Sequence, residues 1–129
     1  PTGNHSITYI TASDGTVYGI SIDREGFIYT SGWGENLLRK LEPATNTWVY
    51  SVPISGGAWG RGVTVGLDGD IWVAQSGADK LTRHNAADGS LIATIPVGRG
   101  PTGVATAKDG KIWVSNLKSN NVMRVDPAI

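Results

Sequence analysis

The chain has 129 residues, 11 basic against 11 acidic, and no cysteine. That length suits one domain with a sizeable core. The cancelled charge removes the basic footprint of a nucleic-acid binder or a membrane-surface protein, and the missing thiols exclude disulfides and thiolate metal sites.

No apolar run approaches a membrane span and no signal peptide opens the sequence. A start at Pro1 rather than Met is expected of a processed or excised piece, or of Met removal. Eighteen glycines without a collagen-like period imply many tight turns, and five Trp with four Tyr imply aromatic-rich strands.

A repeat dominates the chain. Three Ile-aromatic pairs, Ile28-Tyr29, Ile71-Trp72 and Ile112-Trp113, are spaced by 43 and then 41 positions. Gly19, Gly62 and Gly103 keep those spacings, as do Lys40, Arg83 and Arg124. A period near 40–45 with short strands is the mark of a propeller blade. The predicted fold is therefore all-β: a β-propeller of four-stranded antiparallel blades, three per chain.

In chain order, residues 1–17 hold a strand, Ser6–Thr11, that belongs to no blade of their own. Blade 1 spans 18–60, blade 2 spans 61–100 and blade 3 spans 101–129. Strand A is predicted at Gly19–Asp23, Gly62–Gly66 and Gly103–Ala107. Each is followed by a turn, Arg24-Glu25-Gly26, Leu67-Asp68-Gly69 or Lys108-Asp109-Gly110, in which Gly supplies positive φ cheaply. Strand B is Phe27–Ser31, Asp70–Ala74 and Lys111–Ser115. Strand C is Leu38–Glu42, Leu81–Asn85 and Val122–Asp126. Strand D is Trp48–Val52 and Leu91–Ile95, after polar turns. Apolar positions follow a period of two, not that of a helix.

Blade 3 lacks a strand D, and Ser6–Thr11 aligns with one, Ile10 falling where Val52 and Ile95 fall. The cut lies between Ile129 and Pro1, inside a C–D turn. Three blades do not make a ring, since propellers run from about four to eight. The expectation is a head-to-tail homodimer of six blades, a homotrimer of nine being disfavoured. Ser6, Ile7, Thr8, Tyr9 and Ile10 of one chain would pair with Val122, Met123 and Val125 of the next.

The line Pro-Thr-Gly-Val-Ala…Asp-Gly-Lys-Ile-Trp-Val-Ser, from Pro101 to Ser115, and the segment Asn120–Ala128 resemble streptogramin lyase-like and NHL-type β-propeller repeats. The resemblance runs through all three copies. It implies the fold; function varies among such propellers, which serve as enzymes, sensors, binding scaffolds and engineered rings. The lyase branch carries a Glu after strand B and a His/Glu centre around magnesium. Here that Glu position is Gly32, Gln75 and Asn116, and the two histidines, His5 and His84, lie on different strands.

In a propeller the D–A and B–C loops share one face. Those loops gather Tyr18, Trp33, Trp59, Arg61, Gln75, Arg99, Asn116 and Lys118. Aromatic and guanidinium groups with amides suit a sugar, a planar ligand or an anion. The bland readings stand beside this: loop Trp residues cover blade edges, and Arg61 and Arg99 pair with carboxylates or loop carbonyls. Trp33, flanked by glycines, is the better ligand candidate. Trp48, Trp72 and Trp113 read as blade-to-blade core. Asp23, Asp68 and Asp109 read as turn formers rather than metal ligands. His5 and His84 read as structural. Ser55–Gly62 is glycine-rich but lacks the Lys-Ser/Thr ending of a phosphate loop.

No catalytic set, metal or cofactor is expected. The first functional reading is a self-assembling half-propeller, natural-derived or engineered, serving as a scaffold or ligand-binding module. Its partners are itself and a small molecule or glycan, with no nucleic acid and no membrane. The alternative is a streptogramin lyase-like enzyme or hydrolase acting at the same face. A sensor domain cut from a membrane receptor is a third reading.

Overall fold

The computed structural model describes residue 3 and residues 5–128. Among these residues eleven strands form three antiparallel sheets. Blade 1 is β1 (Ile20–Ile22), β2 (Ile28–Ser31), β3 (Leu37–Glu42) and β4 (Thr47–Pro53). Blade 2 is β5 (Gly60–Val65), β6 (Ile71–Gln75), β7 (Lys80–His84) and β8 (Leu91–Pro96). Blade 3 has three strands, β9 (Pro101–Thr106), β10 (Ile112–Asn116) and β11 (Asn121–Val125), with β11 at its edge. Within each sheet consecutive strands are neighbours, as a meander requires.

The A–B turns form as the sequence predicts. Gly26, Gly69 and Gly110 take φ of 94°, 91° and 87°, a region that costs a residue with a Cβ. The preceding aspartates hold the turns: Asp23 Oδ1 accepts the Glu25 and Phe27 N–H groups, both at 2.9 Å, and Asp68 and Asp109 accept the N–H of Asp70 and Lys111.

Alternating side chains on each strand face opposite neighbours, and this builds two cores. Between blades 1 and 2, Tyr29 and Leu38 pack against Ile54, Val63, Ile71 and Val73. Between blades 2 and 3, Trp72 and Leu81 pack against Ile112, with Ile95, Val104 and Val125 alongside. Each aliphatic residue so buried contributes about 1.5–3 kcal/mol of transfer free energy. The inner strands approach closely. A Cβ on Gly62 would stand 2.6 Å from the Thr102 carbonyl oxygen, so the leading glycine is a packing requirement.

Within the single chain residues 5–11 pair with no sheet, and Ile7 and Tyr9 are 70% and 86% exposed. A lone strand with no edge beside it has nothing to satisfy its backbone except water. Of the three strand tryptophans, only Trp72 is core. Trp113 is 41% exposed because no sheet covers that side of blade 3. Trp48, near the outer end of blade 1, donates its Nε1–H to the Thr11 carbonyl at 3.1 Å. The expected cut between Ile129 and Pro1 lies outside the described residues.

Candidate functional site

The loops that follow strands B and D meet at one end of the blades. The loop ahead of β5 is laid across its own blade by two backbone bonds, Ser76 N–H to the Trp59 carbonyl (3.1 Å) and Gly77 N–H to the Ala58 carbonyl (2.9 Å). Trp59 holds φ of 55°, costly for a bulky residue, and remains half exposed. Its ring stacks on Trp33 with centroids 5.8 Å apart and planes 3° from parallel. The Arg61 guanidinium sits 4.2 Å from the centroid of Trp33, and Tyr18 lies 5.5 Å from it in a tilted pair. Three aromatic rings and one cation thus form a continuous group over the seam between blades 1 and 2. Such stacked and cation–π pairs contribute about 0.5–1.5 kcal/mol each beyond area burial.

An ion pair between the buried Arg39 and the exposed Asp14 supports the Trp33 loop. Arg39 is 1% exposed; its Nε donates to Asp14 Oδ1 and its Nη1 to the Thr16 carbonyl, both at 2.8 Å. Ser51 donates to the other Asp14 oxygen. Thr16 Oγ1 accepts the Trp33 N–H at 3.0 Å, and Glu35 accepts both the N–H and the hydroxyl of Thr16 at 3.0 Å. The Ser51 hydroxyl, and after it Arg39, hold the Asp14 carboxyl below its ordinary range. The Thr16 N–H does the same for Glu35. The position of Arg39 is Thr82 in blade 2 and Met123 in blade 3, so this buckle occurs once.

The other predicted site residues lie apart from the aromatic group. Gln75 and Asn116 end their B strands and are buried, Gly57 and Gly98 packing directly on their amides. Gln75 Nε2 donates to Thr82 Oγ1 at 3.4 Å and Asn116 Nδ2 to Asn121 Oδ1 at 2.9 Å. Both amide oxygens are buried without a protein partner. Arg99 and Lys118 are exposed on the adjoining loops over blade 3, joined by the Lys118 N–H to the Arg99 carbonyl at 3.1 Å. Among the described residues Arg61 makes no ion pair; its Nη1 donates to Thr102 Oγ1 at 3.3 Å.

The opposite end of the blades carries charge pairs. Arg83 bridges Asp68 and Asp70, each at 2.7 Å, and Lys111 meets Asp126 at 2.6 Å. His84 pairs in register with Ile71 while Lys80 pairs with Gln75, so His84 and Gln75 stand at opposite ends of blade 2. His84 is buried with Nδ1 3.0 Å from the Gly89 carbonyl, and burial holds its pKa below the ordinary value. Among the described residues no group of His, Asp and Glu converges to hold a metal ion.

Sequence reasoning missed the Arg39–Asp14 buckle, since Arg39 sits in a strand whose other copies are Thr and Met. It also passed over a recurring Asn36, Asp79 and Asn120, which keep the 43 and 41 spacing and all hold positive φ, at 52°, 55° and 55°.

These features define a β-propeller protein with three consecutive blades. A family model described as a beta-propeller repeat matches residues 7–38. No curated relative matches the chain. Among solved structures, a streptogramin B lyase is 22% identical with a TM-score of 0.80, over 91% of this chain and 39% of that one. A virginiamycin B lyase from Staphylococcus aureus gives 20%, 0.79, 92% and 41%. The hydrazine synthase of Kuenenia stuttgartiensis gives 16%, 0.80, 98% and 37%. The chain spans about two fifths of the length of these proteins, and the likeness is one of fold.

Proposed function

We propose that this chain is a half-propeller that assembles with a second copy into a closed six-bladed ring, a binding module whose loop face carries the Trp33–Trp59–Arg61 group. One observation carries the reading. The residues left bare at the two outer faces occupy the repeat positions that are buried at the two internal seams. Trp113 and Val122 are the counterparts of Trp72 and Leu81, and Ile20 is the counterpart of Val63. Trp72 and Leu81 are covered to within 1%, whereas Trp113, Val122 and Ile20 are 41%, 64% and 66% exposed. Gly103 fits the same pattern. It repeats Gly19 and Gly62, which face the inner strand of the next blade, yet only its own blade's Ser115 lies near it. Blade 3 against blade 1 of a second copy would repeat the internal seam twice, and a two-fold closes the ring.

On this reading the aromatic group appears twice around the channel. Its half-exposed Trp59 and the Arg61 guanidinium suit a ligand with an apolar or planar face and a negative charge, such as an anionic sugar. A lyase-like enzyme at the same face would draw no acid–base pair from His84 and Gln75. Light scattering after size exclusion tests the assembly: the expected mass is twice that of the chain. A monomer at micromolar concentration would remove the ring. Quenching of Trp fluorescence by uronic acids tests the binding face, with Trp59→Gly abolishing the response.

A further inference from the structure

The seams also contain a polar seat, and blade 3 has the same seat unfilled. At the first seam, Asn36 accepts the Ile54 N–H on its carbonyl (2.9 Å) and the Gly60 N–H on Oδ1 (3.1 Å), and returns Nδ2–H to the Ile54 carbonyl (3.0 Å). Beside it Ser31 Oγ accepts the Gly19 N–H at 3.0 Å and donates to the Arg61 carbonyl. At the second seam, Asp79 accepts the Val97 N–H on its carbonyl (3.1 Å) and the Gly100 N–H on Oδ1 (2.8 Å). In both cases a left-handed B–C loop residue clamps the strap that runs from one blade's outer strand to the next blade's inner strand.

Blade 3 carries the parts. Asn120 holds φ of 55°, and Ser115 Oγ accepts the Gly103 N–H at 3.0 Å, as Ser31 does that of Gly19. Among the described residues, nothing bonds the Asn120 carbonyl or amide, and the Ser115 hydroxyl has no acceptor. Both residues are exposed. They line, with Asn116, Asn121 and Val122, an open groove of about 530 Å³.

We infer that this groove is a docking site for residues 12–18 of a second copy, with Asn120 and Ser115 as its polar clamp. The inference rests on the ring reading and fixes its register. Leu38 pairs with Val52 and Leu81 with Ile95, so Val122, their counterpart, pairs with Ile10. Ile54 and Val97 lie two residues beyond Val52 and Ile95, which puts the Ala12 N–H, two beyond Ile10, on the Asn120 carbonyl. The strap from Ile10 is one residue shorter than that from Val52, so Gly60 and Arg61, 43 positions on, correspond to Val17 and Tyr18, each about half exposed (51% and 52%). The Tyr18 carbonyl then takes the Ser115 hydroxyl, as Arg61 takes that of Ser31. Pro101 is the counterpart of Gly60 at the second seam and is buried there with its full side chain, so Val17 can be accommodated. The backbone of the strap supplies the bonds, so a free small molecule does not satisfy the seat as a second copy does.

The chain has no cysteine, which makes the register directly readable. Ile10→Cys and Val122→Cys are prepared separately; both positions are exposed, at 36% and 64%. Mixed and oxidised, they are expected to give a covalent heterodimer, while Thr8→Cys mixed with Val122→Cys gives far less. In the uncross-linked protein, Ser115→Ala with Asn120→Gly is expected to weaken the dimer at least about tenfold, the loss of one or two hydrogen bonds per seam. A wild-type dimer whose cross-link favours another register, or whose affinity ignores the double variant, overturns the docking site and leaves the ring standing. A wild-type monomer overturns both.

Discussion

Trp113→Ala separates folding from assembly, because the same side chain has a fully covered counterpart in Trp72. A Trp presents roughly 250 Å², of which 41% is open at Trp113 in the single chain. Covering about 100 Å² of it at a seam is worth about 2.5 kcal/mol at roughly 25 cal/mol per Å². A two-fold ring has two such seams, so the substitution is expected to cost about 5 kcal/mol of association, a rise of several thousandfold in dimer Kd. Sedimentation equilibrium over a concentration series measures this. Trp72→Ala, in the internal seam, instead costs about 3–5 kcal/mol of folding stability, read from urea denaturation. The reasoning fails if Trp113→Ala leaves the Kd within a few-fold of wild type while the variant remains folded.

Three further outcomes follow from the geometry. Arg39→Met removes the partner of Asp14 and loosens the Trp33 loop; the variant should lose the 3° Trp33–Trp59 stack, seen as a weakened exciton couplet in far-ultraviolet circular dichroism. Asp14 and Glu35 titrate below their unfolded values in the folded chain. Their stabilisation is therefore complete above the unfolded carboxylate pKa, near 4, and is lost as pH falls through the folded values; Asp14→Asn should flatten that limb of the urea midpoint against pH. His84 is held neutral by burial, so its contribution is full above about 6.5 and declines as the unfolded chain binds the proton first. Removing that titration with His84→Leu should erase the slope between about pH 6.5 and the folded pKa.

Most of the fold was legible because each blade repeats the same local chemistry. Asp-Gly turns, period-two strands and a leading glycine all agree, and their spacing gave the blade count and order. Strand ends were misjudged by a residue or two: Gln75 and Asn116, read as loop residues, finish their strands under Gly57 and Gly98. The Trp33–Trp59–Arg61 group was legible as composition but not as contact, since stacking depends on Trp59 adopting positive φ. The Arg39–Asp14 buckle was not legible, because it breaks the repeat rather than following it. Ser6–Thr11 shows the opposite limit. It aligns with the outer strands of blades 1 and 2, but a strand exists only where an edge receives it, and the single chain offers it none.

Among the described residues blade 1 packs on blade 2 and blade 2 on blade 3, so the single chain behaves as a short linear lattice rather than as one indivisible core. The middle sheet is clamped on both faces and should be the last to exchange its amide hydrogens for deuterium. The third sheet, held on one face and ending in the bare edge of β11, should open first. The chain would then unravel directionally, like a zip with its stop missing, and anything that occupies that edge would set the lifetime of the whole.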